Sequence, residues 1–126
     1  MEEKREYLKL EDLTSYKIAS ELSDCVWNIV VKWDWLAKTT VGSQFIRATD
    51  SVAANIAEGF GRYHKKDKIK FYFNARGSMF EAEHWCKKAS KRELLTEEES
   101  DHILEELGKL PREINMLIKL TNNLKT

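Results

Sequence analysis

Two Glu-x-x-His pairs, Glu81 with His84 and Glu99 with His102, have types and spacing that could do chemistry. On a helix, this spacing puts carboxylate and imidazole on one face, as in bundles that hold paired metal ions. A complete set needs two more inward carboxylates at the same height, and Glu58 and Glu21 are the obvious candidates, with nothing to place them there. Glu99 already answers Thr96 in a T-x-x-E capping box, and His102 falls in the first turn of that helix, beside its seam. Solvated surface pairs are therefore expected, with no metal and no cofactor. His64, His84 and His102 have no Ser or Cys placed beside them by spacing, so nucleophilic catalysis is not expected and the chain reads as non-enzymatic. Gly59-Phe60-Gly61 follows a helix rather than a strand and lacks a Gly-Lys-Ser/Thr ending, which reads as a helix end rather than a phosphate loop.

A second group is the basic run Arg62, Lys65, Lys66, Lys68 and Lys70, with Tyr63 inside it and Phe60 and Tyr72 beside it. Cations at the start of a helix oppose its dipole at a cost of a few tenths of a kcal/mol each, so stability does not explain them. Cations, aromatics and free amides together would suit a phosphate backbone, and these residues are the candidate nucleic-acid contacts. Lys87, Lys88, Lys91 and Arg92 form a second basic cluster. A third group, Arg47, Asn55, Glu58, Arg76, Ser78 and Glu81, is bordered by apolar residues on two helices. Buried charges are costly unless paired, so these are expected to form interhelical ion pairs and amide hydrogen bonds that fix register.

The elements that position these groups are helical. One Pro, five Gly and no alternating apolar runs point to an all-α chain with four periodic segments. The first runs from about Glu11 or Thr14 to Trp33, with Ala19, Leu22, Ser23, Val26, Val30 and Trp33 inward, and Asp34 to Thr40 is the expected turn. The second runs from near Thr40 to about Glu58, with Phe45, Ala48, Val52 and Ile56 on one line and Ile46, Ala53, Ala57 and Phe60 on another. The third is capped by Asp67 and ends near Ser90, with Ile69, Phe73, Phe80 and Ala89 on one face and Tyr72, Met79 and Cys86 flanking it. Lys91 to Leu95 turns the chain into the fourth, whose seam is Ile103, Leu107, Leu110, Ile114, Leu117, Thr121 and Leu124, with a kink expected at Pro111. Short connections between long helices favour an antiparallel up-down-up-down four-helix bundle.

At 126 residues this is one domain, 1–126, with 1–10 as a frayed amino-terminal tail. Cys25 and Cys86 form no CxxC pair, and the charged amino terminus is no signal peptide, which points to a reducing cytoplasm and no membrane. Formal charge is zero, yet residues 39–95 hold 11 Lys/Arg against 6 Asp/Glu, so a basic centre lies between acidic ends. Trp27, Trp33, Trp35 and Trp85, with Tyr16 and Phe60, exceed what one thin seam holds, so part of that surface is expected to meet another copy of the chain.

RATDSVAANIAEGFGR, then KKD with aromatics following, then ARGSMFEAEHW, resembles the four-helix-bundle family encoded in intervening sequences of bacterial 23S ribosomal RNA genes. The similarity extends to Glu21-Leu22-Ser23-Asp24, the Trp33-Asp34 turn and the Leu94-Leu95 turn. The chain is also similar to the accessory protein of diversity-generating retroelements. The resemblance implies a closed bundle assembled as a ring-shaped homopentamer, with RNA or DNA, or a protein such as a reverse transcriptase, as partner. It implies no enzymatic activity. The retroelement proteins are markedly basic and this chain is neutral, so nucleic-acid binding rests on the local patch alone.

Overall fold

Four long helices carry the chain, two of them closed at an end by side chains that meet orphan backbone groups and two by backbone bonds alone. The computed structural model describes residues 8–124, among which there is no strand. A 3-10 turn, Leu10–Asp12, leads into α1 (Thr14–Val30); the short α2 (Trp35–Ala37) runs through a π-helical stretch, Lys38–Gly42, into α3 (Ser43–Gly61); α4 is Lys65–Lys91 and α5 is Glu97–Asn122. Most of the expected tail, residues 1–7, lies outside the described residues. No helix among those described is long and apolar enough to cross a membrane.

α3 packs against α4 and α1, and α5 against α4 and α1, which closes an all-α four-helix bundle. Phe45, Ala48, Val52 and Ile56 of α3 are buried against Leu22, Val26 and Val30 of α1 and Ile103, Leu107, Leu110 and Ile114 of α5 within one core. α5 continues helical through Pro111. Its last turns bury Ile118 and Thr121, while Leu117 is half-buried and Leu124 exposed, so the seam shifts by one residue from the expected line.

The break between the first two helices is shorter than expected. Asp34 Oδ1 accepts from Ala37 N at 3.0 Å, and the chain is helical from Trp35 rather than from Thr40. Thr39 and Thr40 donate back to the Trp35 and Leu36 carbonyls, both at 2.7 Å, meeting groups that a turn would have left to water. Trp33 lies beyond α1, half-buried.

α4 departs most from expectation. Its buried line is Tyr72, Ala75, Met79, Ala82, Cys86 and Ala89; Phe73 and Phe80, expected inside, are exposed. The helix starts two residues before Asp67, which lies in its first turn, and His64 holds the cap position without a side-chain bond. At its other end Leu94 N donates to Ala89 O and Glu93 N to Ser90 O, a Schellman arrangement with Glu93 at φ 61°. Gly59 and Gly61 were expected to end α3 as glycines do, but neither has positive φ. Gly59 instead admits the Tyr72 ring, whose Cε1 would lie 2.6 Å from an added Cβ.

Candidate nucleic-acid interface

α3 ends at Gly61, Arg62 is extended, and α4 begins at Lys65, so the basic run wraps one corner of the bundle. Lys68 Nζ donates to Phe60 O at 2.8 Å and to Gly59 O at 3.4 Å, meeting the last carbonyls of α3, of which Gly59 O also accepts from Arg62 N at 3.3 Å. Burial holds the Lys68 ammonium below its ordinary pKa. Lys65 Nζ does the same for α5, donating to Asn122 O at 2.9 Å and Leu124 O at 2.8 Å. These two cations thus complement the negative ends of two neighbouring helices. The expectation that stability leaves the basic run unexplained is therefore corrected for Lys65 and Lys68, because the dipoles they serve belong to helices other than their own.

The remaining members face outward. Arg62 Nε donates to Glu58 Oε2 at 3.0 Å, and its guanidinium lies 4.7 Å from the Phe71 ring centroid. Lys66 and Lys70 are exposed and make no ion pair among the described residues. Tyr63 is 85 % exposed, its ring edge-on to His64 at 5.1 Å. The corner therefore offers two ammonium groups without an ion pair, that of Lys70 lying 5.9 Å from the Phe71 ring centroid, together with a half-engaged guanidinium and an uncovered phenol ring.

The expected interhelical network is not formed within the chain. Glu58 pairs with Arg62 on the same helix run, Asn55 Nδ2 donates to its own Ser51 O at 2.8 Å, and Arg76 stacks over its own Phe73 at 5.6 Å. Arg47 and Glu81 are exposed, and Ser78 is half-buried without a side-chain hydrogen bond. Every ion pair among the described residues joins positions three or four apart on one helix run. The side chains instead find partners one turn away, which avoids the cost of burying charge.

Interhelical polar contacts come from smaller groups. Ser23 Oγ donates to the Asp50 carboxylate between α1 and α3, and Ser90 and Ser100 Oγ lie 2.6 Å apart between α4 and α5. Short hydroxyls on half-buried seams were the available signal, and Ser23 was placed inward from its spacing alone. Of the Glu-x-x-His pairs, Glu99 Oε1 accepts from Thr96 N at 2.9 Å, while Glu81, His84 and His102 are exposed. No group of three or more His, Cys, Asp or Glu converges as metal ligands among the described residues. Cys25 and Cys86 are free thiols, and burial pushes Cys86 up to about 11.

The bundle has the fold of a solved protein of unknown function from the S23 ribosomal protein family of Bacteroides thetaiotaomicron VPI-5482. The two chains are 19 % identical with a TM-score of 0.75, over 84 % of this chain and 99 % of that one. No curated protein sequence matches the chain. Neither the fold match nor the sequence match that follows names an activity. Residues 11–116, spanning α1 to the last third of α5 and including the whole basic corner, match the family model described as 23S rRNA-intervening sequence protein, and the chain belongs to that family.

Proposed function

We propose that this protein is a non-enzymatic bundle that assembles as a homo-oligomeric ring, pentameric as the family resemblance implies, and binds RNA through the corner between α3 and α4. The observation that carries the RNA reading is the division of labour among the cations. Lys65 and Lys68 are held by carbonyls of α5 and α3, and they brace the corner from which Lys66, Lys70 and Tyr63 project. Fixed cations beside an exposed aromatic ring suit a phosphodiester chain. Self-association is supported by Trp27 and Trp35, 53 % and 76 % exposed at one end of the bundle.

Titration of a labelled 20-nucleotide RNA against the full chain at rising salt tests the reading. Affinity should fall steeply with salt, and Lys66→Glu with Lys70→Glu should lower it about tenfold or more at 50 mM salt. Equal binding by the double variant would overturn it. Absence of RNA binding by the wild type would leave the second reading, a protein-binding scaffold or accessory subunit, which the neutral net charge and the exposed indoles favour.

A further inference from the structure

α4 has two opposed lines. Tyr72, Ala75, Met79, Ala82, Cys86 and Ala89 face the core. The line on the far side starts at Lys66 and Lys70, passes Phe73, Gly77 and Phe80, and reaches Lys87 and Lys91 in alternating steps of four and three once His84 is included. Every one of these residues is exposed. Two phenyl rings, 49 % and 58 % open to water, thus stand one above the other with a glycine between them and cations beyond each. A Cβ at Gly77 would meet nothing within 4 Å other than its chain neighbours, one of which, Arg76, carries its guanidinium 5.6 Å from the Phe73 ring centroid, a cation beside the slot between the rings.

The dimensions fit stacked bases. Seven residues of helix separate Phe73 from Phe80 by about 10.5 Å along the axis. Two bases stacked between two rings need three stacking intervals of about 3.4 Å, or roughly 10 Å in all. Lys70 lies about 4.5 Å before Phe73 on the same face, where a phosphate flanking the two bases would run. Charge also argues against one antiparallel register of a second copy, the one that sets Lys66 against Lys91 and Lys70 against Lys87. Glu81 is the exposed carboxylate beside the rings, and Glu83 is taken up by Lys87 at 2.8 Å.

We infer that the outer face of α4 is a single-strand track, in which Phe73 and Phe80 hold two unpaired bases over Gly77 while Lys66, Lys70 and Lys91 meet the phosphates on either side, Lys87 being paired with Glu83. The track rests on the RNA reading above and extends it from the corner to a specific substrate class, unpaired rather than duplex RNA. Paired bases cannot enter the slot, because their faces are already covered by their neighbours.

Fluorescence anisotropy of the full chain with a labelled single-stranded octanucleotide, and with a blunt duplex of the same length, tests the track. The wild type should prefer the single strand. Phe73→Ala with Phe80→Ala should weaken single-strand binding about tenfold or more and leave duplex binding unchanged. Both rings are on the surface, so circular dichroism of the variant should match the wild type. Single-strand binding unaltered in the Phe variant but lost in Lys66→Glu with Lys70→Glu would overturn the track and leave the corner reading standing. No binding of either nucleic acid by the wild type would overturn both. A lower mass for the Phe variant by light scattering, with oligonucleotide binding unchanged, would assign the rings to contact between copies and also overturn the track.

Discussion

Lys68 Nζ donates to the Phe60 carbonyl at 2.8 Å, so the first turn of α4 closes the last turn of α3. The contact lets a charged group cap a helix that ends at Gly61 without a left-handed glycine. Lys68→Ala should lower unfolding free energy by about 1–2 kcal/mol in a urea titration, the range for a charge-assisted hydrogen bond near a helix end. Binding of single-stranded RNA per folded molecule should change far less than in the Lys66 and Lys70 variants. The low pKa of Lys68 fixes a sign as well. Between its folded value and the unfolded 10.5 the unfolded chain holds more protons, so this group's contribution to stability grows as pH rises through that window.

Tyr72 and Cys86 act in the opposite direction. Burial raises the Tyr72 phenol to about 12 and the Cys86 thiol to about 11, above ordinary values of 10.0 and 9.0. The native chain keeps these protons while the unfolded chain loses them, so their stabilisation is complete below about pH 9 and is lost progressively above it, through about 11 and 12. Tyr72→Phe should flatten the part of that loss between pH 10 and 12 and alter stability little at pH 7. Identical alkaline limbs for variant and wild type would contradict this assignment.

Much of the bundle was legible because buried seams on α3 and α5 are single lines of large apolar residues. On α3 the line Phe45, Val52 and Ile56 outweighs Ile46, Ala53, Ala57 and Phe60 beside it, and both lie toward the core, the first buried and Ile46, Ala53 and Phe60 half-buried, while Ile103, Leu110 and Ile114 mark the buried line of α5. On α4 the same rhythm occurs on both faces, and periodicity gives the spacing of a stripe without saying which side is inward. Phe73 and Phe80 outweigh Ala75 and Ala82 on any hydrophobicity scale, yet the alanines are inside, on the side of α4 that packs against α3 and α5. The candidate site was legible as a charge run only. Which lysines are free depends on carbonyls at Asn122, Leu124 and Phe60, and the first two lie more than fifty residues away in the chain.

Gly59 and Gly77 on neighbouring helices should respond oppositely to the same change. A methyl at Gly59 would sit 2.6 and 2.9 Å from Tyr72 ring carbons and 3.0 Å from the Lys68 carbonyl, none of which can give way cheaply. Gly59→Ala should destabilise by roughly 1–3 kcal/mol despite the better helix propensity of alanine. Gly77→Ala meets open space and should stabilise by about 0.5–1 kcal/mol. Thermal unfolding of the two variants side by side reads the difference.

Glu93 occupies a position that favours glycine. With φ at 61° it is the left-handed residue after α4, and its own N–H and that of Leu94 make the two Schellman bonds. Glu93→Gly should stabilise by up to about 1 kcal/mol, since the exposed side chain has no partner among the described residues to lose. The capping box three residues later gives the contrasting case. Thr96→Ala removes the acceptor for Glu99 N at 3.1 Å and should cost about 1 kcal/mol.

Trp27, Val31, Trp35 and Leu36 form an exposed apolar end where α1 passes into α2, beside an open groove of about 390 Å³ lined in part by Val30 and Ile46. If this end joins copies of the chain, its contact in a ring must be heterologous, meeting a different surface on the next copy. Desolvated indoles at the centre of an interface contribute roughly 2–4 kcal/mol each, so a charge at either should break the contact. Trp27→Glu with Trp35→Glu is expected to shift the light-scattering mass at micromolar concentration from a multiple of 14.8 kDa to the monomer, with helical content preserved. An unchanged multiple would place the contact elsewhere on the bundle, and a monomeric wild type at that concentration would remove the ring. Because the length of α3 lies between the indole end and the corner that bears Lys66 and Lys70, the same variant also separates two modes of RNA binding. Affinity that survives in the monomer belongs to the α4 face alone, and affinity that falls with the mass belongs to several such faces acting together.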